Sequence, residues 1–466
     1  MKKLNFLLFA VAIFSLGLFS CDKEESNDSE KFSTMSIEQN KAIVEDAGIE
    51  LLGTMNKMRS IQTVGVIINF GKIVDSSAPL KKAFSQDSKI FSTLLTFTKV
   101  AQGEKKVNDL YDVMISSAEL SEDPESIQEF WDESVGTYTW NSNMDDWDIV
   151  YGGTTIVFKF PSEEGTITND ATLTISNYEG IEISNPLDEE YEGDLPVSLN
   201  ADLKVGSTTL VTMIFGASYD SEGVPESVAS DLTVEDFKFE IDIVNNSRQV
   251  SVNYMFSENG TTIMELGASG DGLFTGENID INTNTVHHSE TYGYWNWRYN
   301  PVTQQYEQYW EEYTDEWDET EVDFEEILNS ASVHFQLYNI ALRGDINVKG
   351  LVDEIKLIEK DYDDELIDEE TMQEKTAVQI NEYLNLRLVN LTNNEIIAKA
   401  EAYVVKQIEY EWEDYYIEMR FKFGDGSTIE METYFEEGFN DFVDELNEFI
   451  DDVNSEYDLD IEYIDY

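Results

Sequence analysis

A long series of short strands separated by tight turns constrains the fold of this chain more than any other feature. Between Thr154 and Ala268 apolar and polar residues alternate, and turn dipeptides such as Asn245-Asn246 and Asn259-Gly260 punctuate the series. Alternation places one face of each strand in a core and the other in water. Short links favour antiparallel neighbours. The pattern predicts an antiparallel β-meander domain over residues 131–285.

Two of the predicted strands are unusually long. One runs from Val228 to Val244 within the meander, and the other runs from Ser332 to Val348 beyond it. Apolar and polar residues alternate in the second half of the first, where Phe237, Phe239, Ile241 and Ile243 are separated by charged residues. Both stretches are therefore predicted to be single strands.

A helical segment is predicted ahead of the meander, over residues 36–130. Ser36 and Gln39 have the spacing of a capping box, and apolar residues recur at helical intervals after them. The apolar stretch Ile61–Ile73 is consistent with a buried helix or with a strand. Its periodicity leaves both open.

The C-terminal part, residues 331–466, is predicted to mix strands with covering helices. Helical patterns occupy Leu351–Leu366 and residues 370–384. A hairpin around Gly424-Asp425-Gly426 is predicted to pair Phe421 and Phe423 with Ile429 and Met431. A last apolar stripe, Phe439–Val453, is predicted to cap a sheet face. The predicted fold class is therefore α+β: a large antiparallel β-meander sheet with an N-terminal helical segment and covering C-terminal helices.

The first twenty-one residues predict export and lipid anchoring. Two lysines precede an apolar run that ends at Ser20-Cys21, the arrangement of a secretory signal with a lipobox. Residues 1–20 are predicted to be a signal peptide, Cys21 the lipidated residue bearing palmitate, and residues 21–35 an acidic flexible tether. The alternative is an uncleaved anchor with a chance cysteine. Cys21 is the single cysteine, so no intrachain disulfide can form.

Three stretches carry a resemblance to a known group of proteins. They are Gly136–Asn141 (GTYTWN), Ile156–Pro161 (IVFKFP) and Phe421–Phe439, which enters a helix. Together with the early helix after the tether they resemble uncharacterised lipoproteins of Bacteroidetes. The resemblance implies an outer-membrane lipoprotein on the cell surface or the periplasmic face, and it implies no known activity. The acidic residues after Cys21 also resemble the surface-export signal of such lipoproteins, although an ordinary solvated linker would read the same.

The negative charge of the chain limits the molecules that it can bind. The chain carries a formal net charge of −67, and residues 301–466 hold 47 Asp and Glu against 10 Lys and Arg. Phosphate backbones would be repelled, so no nucleic acid is expected as a partner. The expected partners are a membrane, through the N-terminal acyl anchor, and a glycan or another envelope protein.

No catalytic motif stands out. The three histidines are His287, His288 and His334; the adjacent pair is predicted to lie in an exposed loop, and His334 on a sheet face. The motifs of zinc proteases, serine hydrolases, dinucleotide binding and calcium loops are missing from the sequence. The chain is therefore predicted not to be an enzyme and to need no cofactor or metal.

The aromatic-rich stretch, residues 286–330, is the one candidate binding region. Trp295, Trp297 and Tyr299 would share one face of a strand, with Trp310 on the returning strand of a hairpin. Exposed indoles can stack on sugar rings. The alternative is that one face packs onto a neighbouring domain.

These observations predict a lipid-anchored envelope protein with a non-catalytic binding or structural role, glycan binding being one form of it. Two other roles stay open. A lipid or lipoprotein carrier would shelter acyl chains against a concave sheet, and a carbohydrate-active hydrolase would cluster carboxylates in a cleft.

Overall fold

A computed structural model describes residues 31–76, 127–184, 193–300, 302, 304–409, 412–436 and 445–448. The predicted lipidation site at Cys21, residues 77–126 of the predicted helical segment and most of the predicted helix Phe439–Val453 lie outside these residues. Residues 445–448, within that last stretch, are helical.

Eighteen strands are found in the described part of the chain. In chain order they are β1 Gly136–Asn141, β2 Asp146–Tyr151, β3 Ile156–Phe160, β4 Ala171–Ile183, β5 Gly193–Val205, β6 Thr208–Tyr219, β7 Pro225–Val234, β8 Phe237–Asn245, β9 Gln249–Glu258, β10 Thr261–Gly272, β11 Thr283–Asn300, β12 Gln305–Val322, β13 Leu328–Leu337, β14 Ile340–Ile346, β15 Leu384–Asn390, β16 Glu395–Glu409, β17 Trp412–Lys422 and β18 Thr428–Glu430.

Sixteen of these strands form one sheet, and β11 and β12 form a separate two-stranded sheet. The order in the large sheet is β18-β17-β16-β15-β14-β13-β10-β9-β8-β7-β6-β5-β4-β3-β1-β2. Chain neighbours are mostly sheet neighbours, because short turns join them. The predicted α+β class with a large antiparallel meander is confirmed. The sheet runs without a break from β10 to β13, and the division into the predicted domains stays a prediction.

One edge of the sheet departs from the predicted meander. There β1 pairs with β2 in antiparallel fashion and with β3 in parallel fashion. The chain leaves β2 through Gly152 and Gly153, both at positive φ, and it returns on the far side of β1. A strand that reverses after β2 must run in the direction of β1, so the pairing is parallel.

Both long strands predicted from the sequence are instead pairs of strands. A turn at Glu235 (φ 53°) separates β7 from β8, and a turn at Tyr338 (φ 48°) separates β13 from β14. Neither turn contains glycine or proline, and the residue at positive φ is Glu235 in one and Tyr338 in the other. Asp236 and Asn339, which follow them, are turn formers, but a single such residue is a weaker signal than a dipeptide such as Asn-Gly. Tertiary contacts hold both turns: Glu235 accepts hydrogen bonds from the backbone and hydroxyl of Thr63, and the Tyr338 hydroxyl lies 2.6 Å from Thr54 Oγ1.

Eight helices have defined bounds among the described residues: α1 Ile37–Arg59, α2 Gln62–Ser76, α3 Ile127–Ser134, α4 Gly276–Ile281, α5 Phe324–Ile327, α6 Val348–Asp363, α7 Glu369–Tyr383 and α8 Met431–Glu436. The capping box of Ser36 and Gln39 is present, as predicted. The stretch that left helix and strand open forms α2.

The helices cover one apolar face of the large sheet. Phe70 of α2 packs among aromatic rings of the strands at the β1–β3 edge, and Val44 of α1 belongs to the same core cluster as Phe421 of β17. Farther along the same strands, Leu351 of α6 and Ala377 of α7 join another part of the core. Phe421 lies opposite Ile429, as predicted. The predicted pairing does not extend to Phe423 and Met431, because Phe423 lies in the turn, where its amide donates to the Ser427 carbonyl, and Met431 begins α8.

Candidate functional site

The strands β11 and β12 form a long hairpin apart from the large sheet. Each strand has 18 residues, and their register is continuous from the Thr283–Val322 pair to the Asn300–Gln305 pair, without a bulge. At about 3.3 Å per residue the hairpin is roughly 60 Å long. The sequence predicted a hairpin here, and the structure contains one.

The base of the hairpin is narrow and firmly joined. Gly272, the last residue of β10, pairs with Leu328, the first residue of β13, and the Leu273 amide donates to the Ile327 carbonyl at 2.7 Å. Asn278 in α4 ties the two chain segments together, because its Nδ2 donates to the Leu273 carbonyl at 2.9 Å and to the Glu326 carbonyl at 3.0 Å. The hairpin therefore leaves the sheet and returns to it at one point.

Three of the four predicted site residues expose large indoles on one face, which we call the indole face. Trp295 and Trp297 alternate along β11, and Trp310 lies directly opposite Trp295 on β12. The three side chains are 63%, 57% and 47% exposed, respectively. Tyr299, the fourth, lies in β11 and pairs with Tyr306 in the register. The indole face is thus open where the alternative interpretation had it packed on a neighbouring domain.

A glycine shapes the indole face. The Trp310 ring lies across Gly293, the residue two positions before Trp295: a Cβ atom on Gly293 would stand 1.8 Å from Trp310 Cζ2. The Trp310 Nε1 donates to Glu312 at 2.8 Å, and the Trp295 ring meets the Trp310 ring edge-on, with centroids 5.5 Å apart and planes at 69°. The Trp310 ring therefore lies against the strand, and the Trp295 ring stands beside it at a steep angle.

Sequence analysis did not select Gly293. A glycine inside a strand pattern is a signal for the close approach of another group, and here the group is an aromatic ring on the neighbouring strand. That signal was available in the printed sequence, since Gly293 interrupts a run of aromatic residues.

The opposite face of the hairpin carries tyrosines and a polar network. Tyr313 stacks on Tyr292, with centroids 5.3 Å apart. The Glu311 carboxylate accepts hydrogen bonds from Asn296 Nδ2 at 2.9 Å and from the Tyr309 hydroxyl at 3.0 Å. Both hydrogen bonds lower the pKa of Glu311, and the bond from Asn296 has the larger effect. The hydrogen bond to Glu311 raises the pKa of Tyr309. The network orders this face without burying it.

The two strands of the hairpin differ sharply in charge. The sequence of β12 contains eight Asp and Glu residues and neither Lys nor Arg, whereas β11 contains Glu290 and Arg298 as its charged residues at neutral pH. Negative charge along β12 raises the local concentration of cations and repels anions. Any ligand of the indole face meets this negative field.

The histidines lie on strands. His287 and His288 were predicted to lie in an exposed loop, which is wrong: they belong to β11 and pair with Asp318 and Trp317. The aromatic and β-branched residues around them extend the strand beyond the predicted hairpin core. His334 lies on the sheet in β13, as predicted, with Nε2 3.7 Å from Glu265 Oε2, and this neighbour lowers the pKa of Glu265. Sequence analysis did not anticipate this pair.

Within the described residues, no group of three or more His, Cys, Asp or Glu side chains is arranged to hold a metal ion. None of the described helices combines the length and apolar character needed to cross a bilayer. No protein-family model, curated protein or solved structure matches the chain.

Proposed function

We propose that this protein is a lipid-anchored protein of the cell envelope that binds a neutral glycan on the indole face of its long hairpin. The observation that supports the proposal is the exposure of Trp295, Trp297 and Trp310 together on one face of an element that stands apart from the large sheet. Exposed apolar surface of this kind is unusual unless it meets a partner.

The arrangement of the indoles suits a sugar ring. A pyranose presents a flat patch of C–H groups flanked by hydroxyls, and an indole offers a flat ring with negative potential on its face. Trp310 lies across Gly293 with its outer face open, and Trp295 stands at 69° to it. A sugar can stack on the first ring while its edge contacts the second. Carboxylates such as Glu312 supply acceptors for hydroxyl groups.

The charge of the hairpin selects among glycans. The strand that carries Trp310, β12, has eight Asp and Glu residues in its sequence, and their negative field would repel a sugar that carries a carboxylate or a sulfate. A neutral oligosaccharide, or one that carries an amino group, faces no such penalty. Neutral glycans are therefore the proposed ligand class.

Binding can be measured by titrating neutral oligosaccharides of several linkages into the purified protein. The Trp297→Ala variant is expected to bind about tenfold more weakly, equivalent to about 1.4 kcal/mol. The matched control is Tyr313→Ala, which removes an exposed aromatic ring from the opposite face and should leave binding unchanged. Equal effects of the two substitutions, or no binding to any neutral glycan in the panel, would sink the proposal.

The anchor is tested separately. Cys21→Ser is expected to shift the protein from the membrane fraction to the soluble fraction and to abolish incorporation of labelled palmitate, because the thiol is the site of acylation. Membrane association that survives the substitution together with palmitate labelling would contradict the proposed anchor. Glycan binding by the purified protein does not depend on this result.

A further inference from the structure

The outer edge of β11 is the second notable surface of the hairpin. Within the described residues β11 pairs with β12 alone. A strand has two edges, so alternate residues of the segment Gly293–Trp297 direct their backbone N–H and C=O groups to the edge that faces away from β12. Within this segment the Trp297 amide already donates to Asn296 Oδ1 at 2.8 Å. Exposed edges of this length are templates for pairing with another strand.

The two outer edges of the hairpin differ in their protection. Proteins protect an edge by charged side chains, proline or bulges. The outer edge of β12 has eight Asp and Glu residues, which would oppose the approach of a second acidic strand. The sequence of β11 contains neither Lys nor Pro, and its register has no bulge. The edge of β11 is the one left open to pairing.

The charges of β11 are self-complementary. Glu290 and Arg298 each lie four positions from Tyr294, on either side of it. Antiparallel pairing with a second β11, centred on Tyr294, sets Glu290 of each copy opposite Arg298 of the other. Opposite charges directly across a sheet are favourable, and like charges are unfavourable. Two-fold symmetric contacts are the commonest way in which identical chains associate.

We propose that two copies of this chain associate through antiparallel pairing of their β11 strands about Tyr294. The product is a four-stranded sheet in which the two acidic β12 strands lie outermost, about 14 Å apart at the usual strand spacing. That distance exceeds the Debye length of about 8 Å at physiological ionic strength. The indole faces stay open, so the association is independent of glycan binding.

The salt dependence of binding differs between two possible partners of the β11 edge, a second copy of this chain and a strand of another protein. Each chain has a net charge of −67, so two copies repel each other at long range, and added salt strengthens their association by screening that repulsion. A basic strand from another protein would instead be attracted to the acidic hairpin, and salt would weaken its binding. Sedimentation of the purified protein at low and high salt tests the prediction for a second copy, which should associate more strongly as the salt concentration rises.

Disulfide trapping tests the pairing directly. In a Cys21→Ser background the introduced cysteine is the single one in the chain. Residues directly opposite in an antiparallel pair have Cα atoms about 4.5–5.5 Å apart, within the range that a disulfide can bridge. Tyr294→Cys is therefore expected to form a covalent dimer under mild oxidation. The matched control is Tyr313→Cys on β12, since the two tyrosines are similarly exposed, 47% and 51%; it should stay monomeric.

Charge exchange provides the second test. Either Glu290→Arg or Arg298→Glu alone places like charges opposite each other, and the two-fold symmetry repeats this pair in the proposed interface. Each single variant should therefore dimerise about tenfold more weakly in sedimentation experiments. The double variant restores opposite charges and should recover the wild-type affinity. The proposal is overturned by a wild-type protein that stays monomeric at high salt, by equal crosslinking of Tyr294→Cys and Tyr313→Cys, or by single exchanges without effect.

Discussion

Two tryptophan pairs in this protein share a local geometry and differ in everything around it. Trp140 and Trp147 face each other across β1 and β2, with ring centroids 5.4 Å apart and planes at 65°. Trp295 and Trp310 face each other across β11 and β12 at 5.5 Å and 69°. The first two residues are each 7% exposed, whereas Trp295 is 63% and Trp310 is 47% exposed. Strand pairing fixes the contact of the rings, but it does not decide their burial.

The neighbours of each pair account for the difference. Phe70 of α2 meets Trp147 at 6.3 Å and also contacts Phe158 and Phe160, so a helix covers the first pair. The second pair lies on a hairpin whose main contacts with the rest of the described chain are at its base, around α4 and α5. The Nε1 of Trp147 has no hydrogen-bond partner in the described part of the chain, whereas that of Trp310 donates to Glu312. The first pair belongs to the core, and the second is exposed to solvent.

The largest expected effect comes from truncating the covered pair. Trp147→Ala should lower the free energy of unfolding by about 3–5 kcal/mol, because it removes a buried ring and leaves a cavity. Trp310→Ala should lower it by about 0.5 kcal/mol, the range of an exposed substitution. Urea unfolding followed by circular dichroism measures both. Similar losses for the two variants would break the distinction between a structural pair and an exposed one.

Glycines in the strands that carry the two pairs give the next largest effect. A Cβ atom on Gly136 would stand 2.8 Å from the Val150 carbonyl oxygen, which is backbone and cannot move aside cheaply. Gly136→Ala should therefore cost about 1–3 kcal/mol.

Gly293→Ala meets only the side chain of Trp310, which can rotate away from the strand. Its cost in stability should be below about 1 kcal/mol, but glycan binding should fall because the ring leaves its position. A Gly293→Ala protein that binds glycan normally would show that the ring across Gly293 is not the binding platform.

The smallest effect concerns the polar network behind the indoles. Asn296 is the first cause of the lowered pKa of Glu311, so Asn296→Ala should raise that pKa toward the ordinary glutamate range, as followed by NMR titration of the carboxyl group. A carboxyl group whose pKa is lowered by folding stabilises the folded protein at pH values above its ordinary pKa. This contribution is lost as the pH falls through the lowered pKa. Because Glu311 lies at the surface, the unfolding free energy should hardly change. An unshifted titration would show that the hydrogen bond from Asn296 does not hold the carboxylate.

The fold class was predictable because alternation and turn residues are local signals. They identified the meander, the capping box at Ser36 and the pairing of Phe421 with Ile429. The turns at Glu235 and Tyr338 were missed, because contacts with α1 and the start of α2, distant in sequence, hold non-glycine residues at positive φ. Local sequence carries no trace of such contacts.

The candidate site was predictable only in part, for a similar reason. Alternation places Trp295 and Trp297 on one face, and the turn near Asn300 brings Trp310 opposite. Their exposure depends on whether a helix covers the hairpin, and the equally aromatic β1–β2 hairpin shows that the same pattern can be covered. The same sequence pattern occurs in a buried and in an exposed hairpin, so the pattern does not predict which of the two will form.

The meeting of Gly272 with Leu328 at the foot of the hairpin has a consequence for how the molecule can vary. Since the chain departs and rejoins at adjacent positions, the whole arm could be excised and the gap closed by a short turn while β10 and β13 remained partners. The arm could equally be lengthened, shortened or transplanted to another scaffold. Changes in the hairpin therefore need not disturb the large sheet to which it is joined.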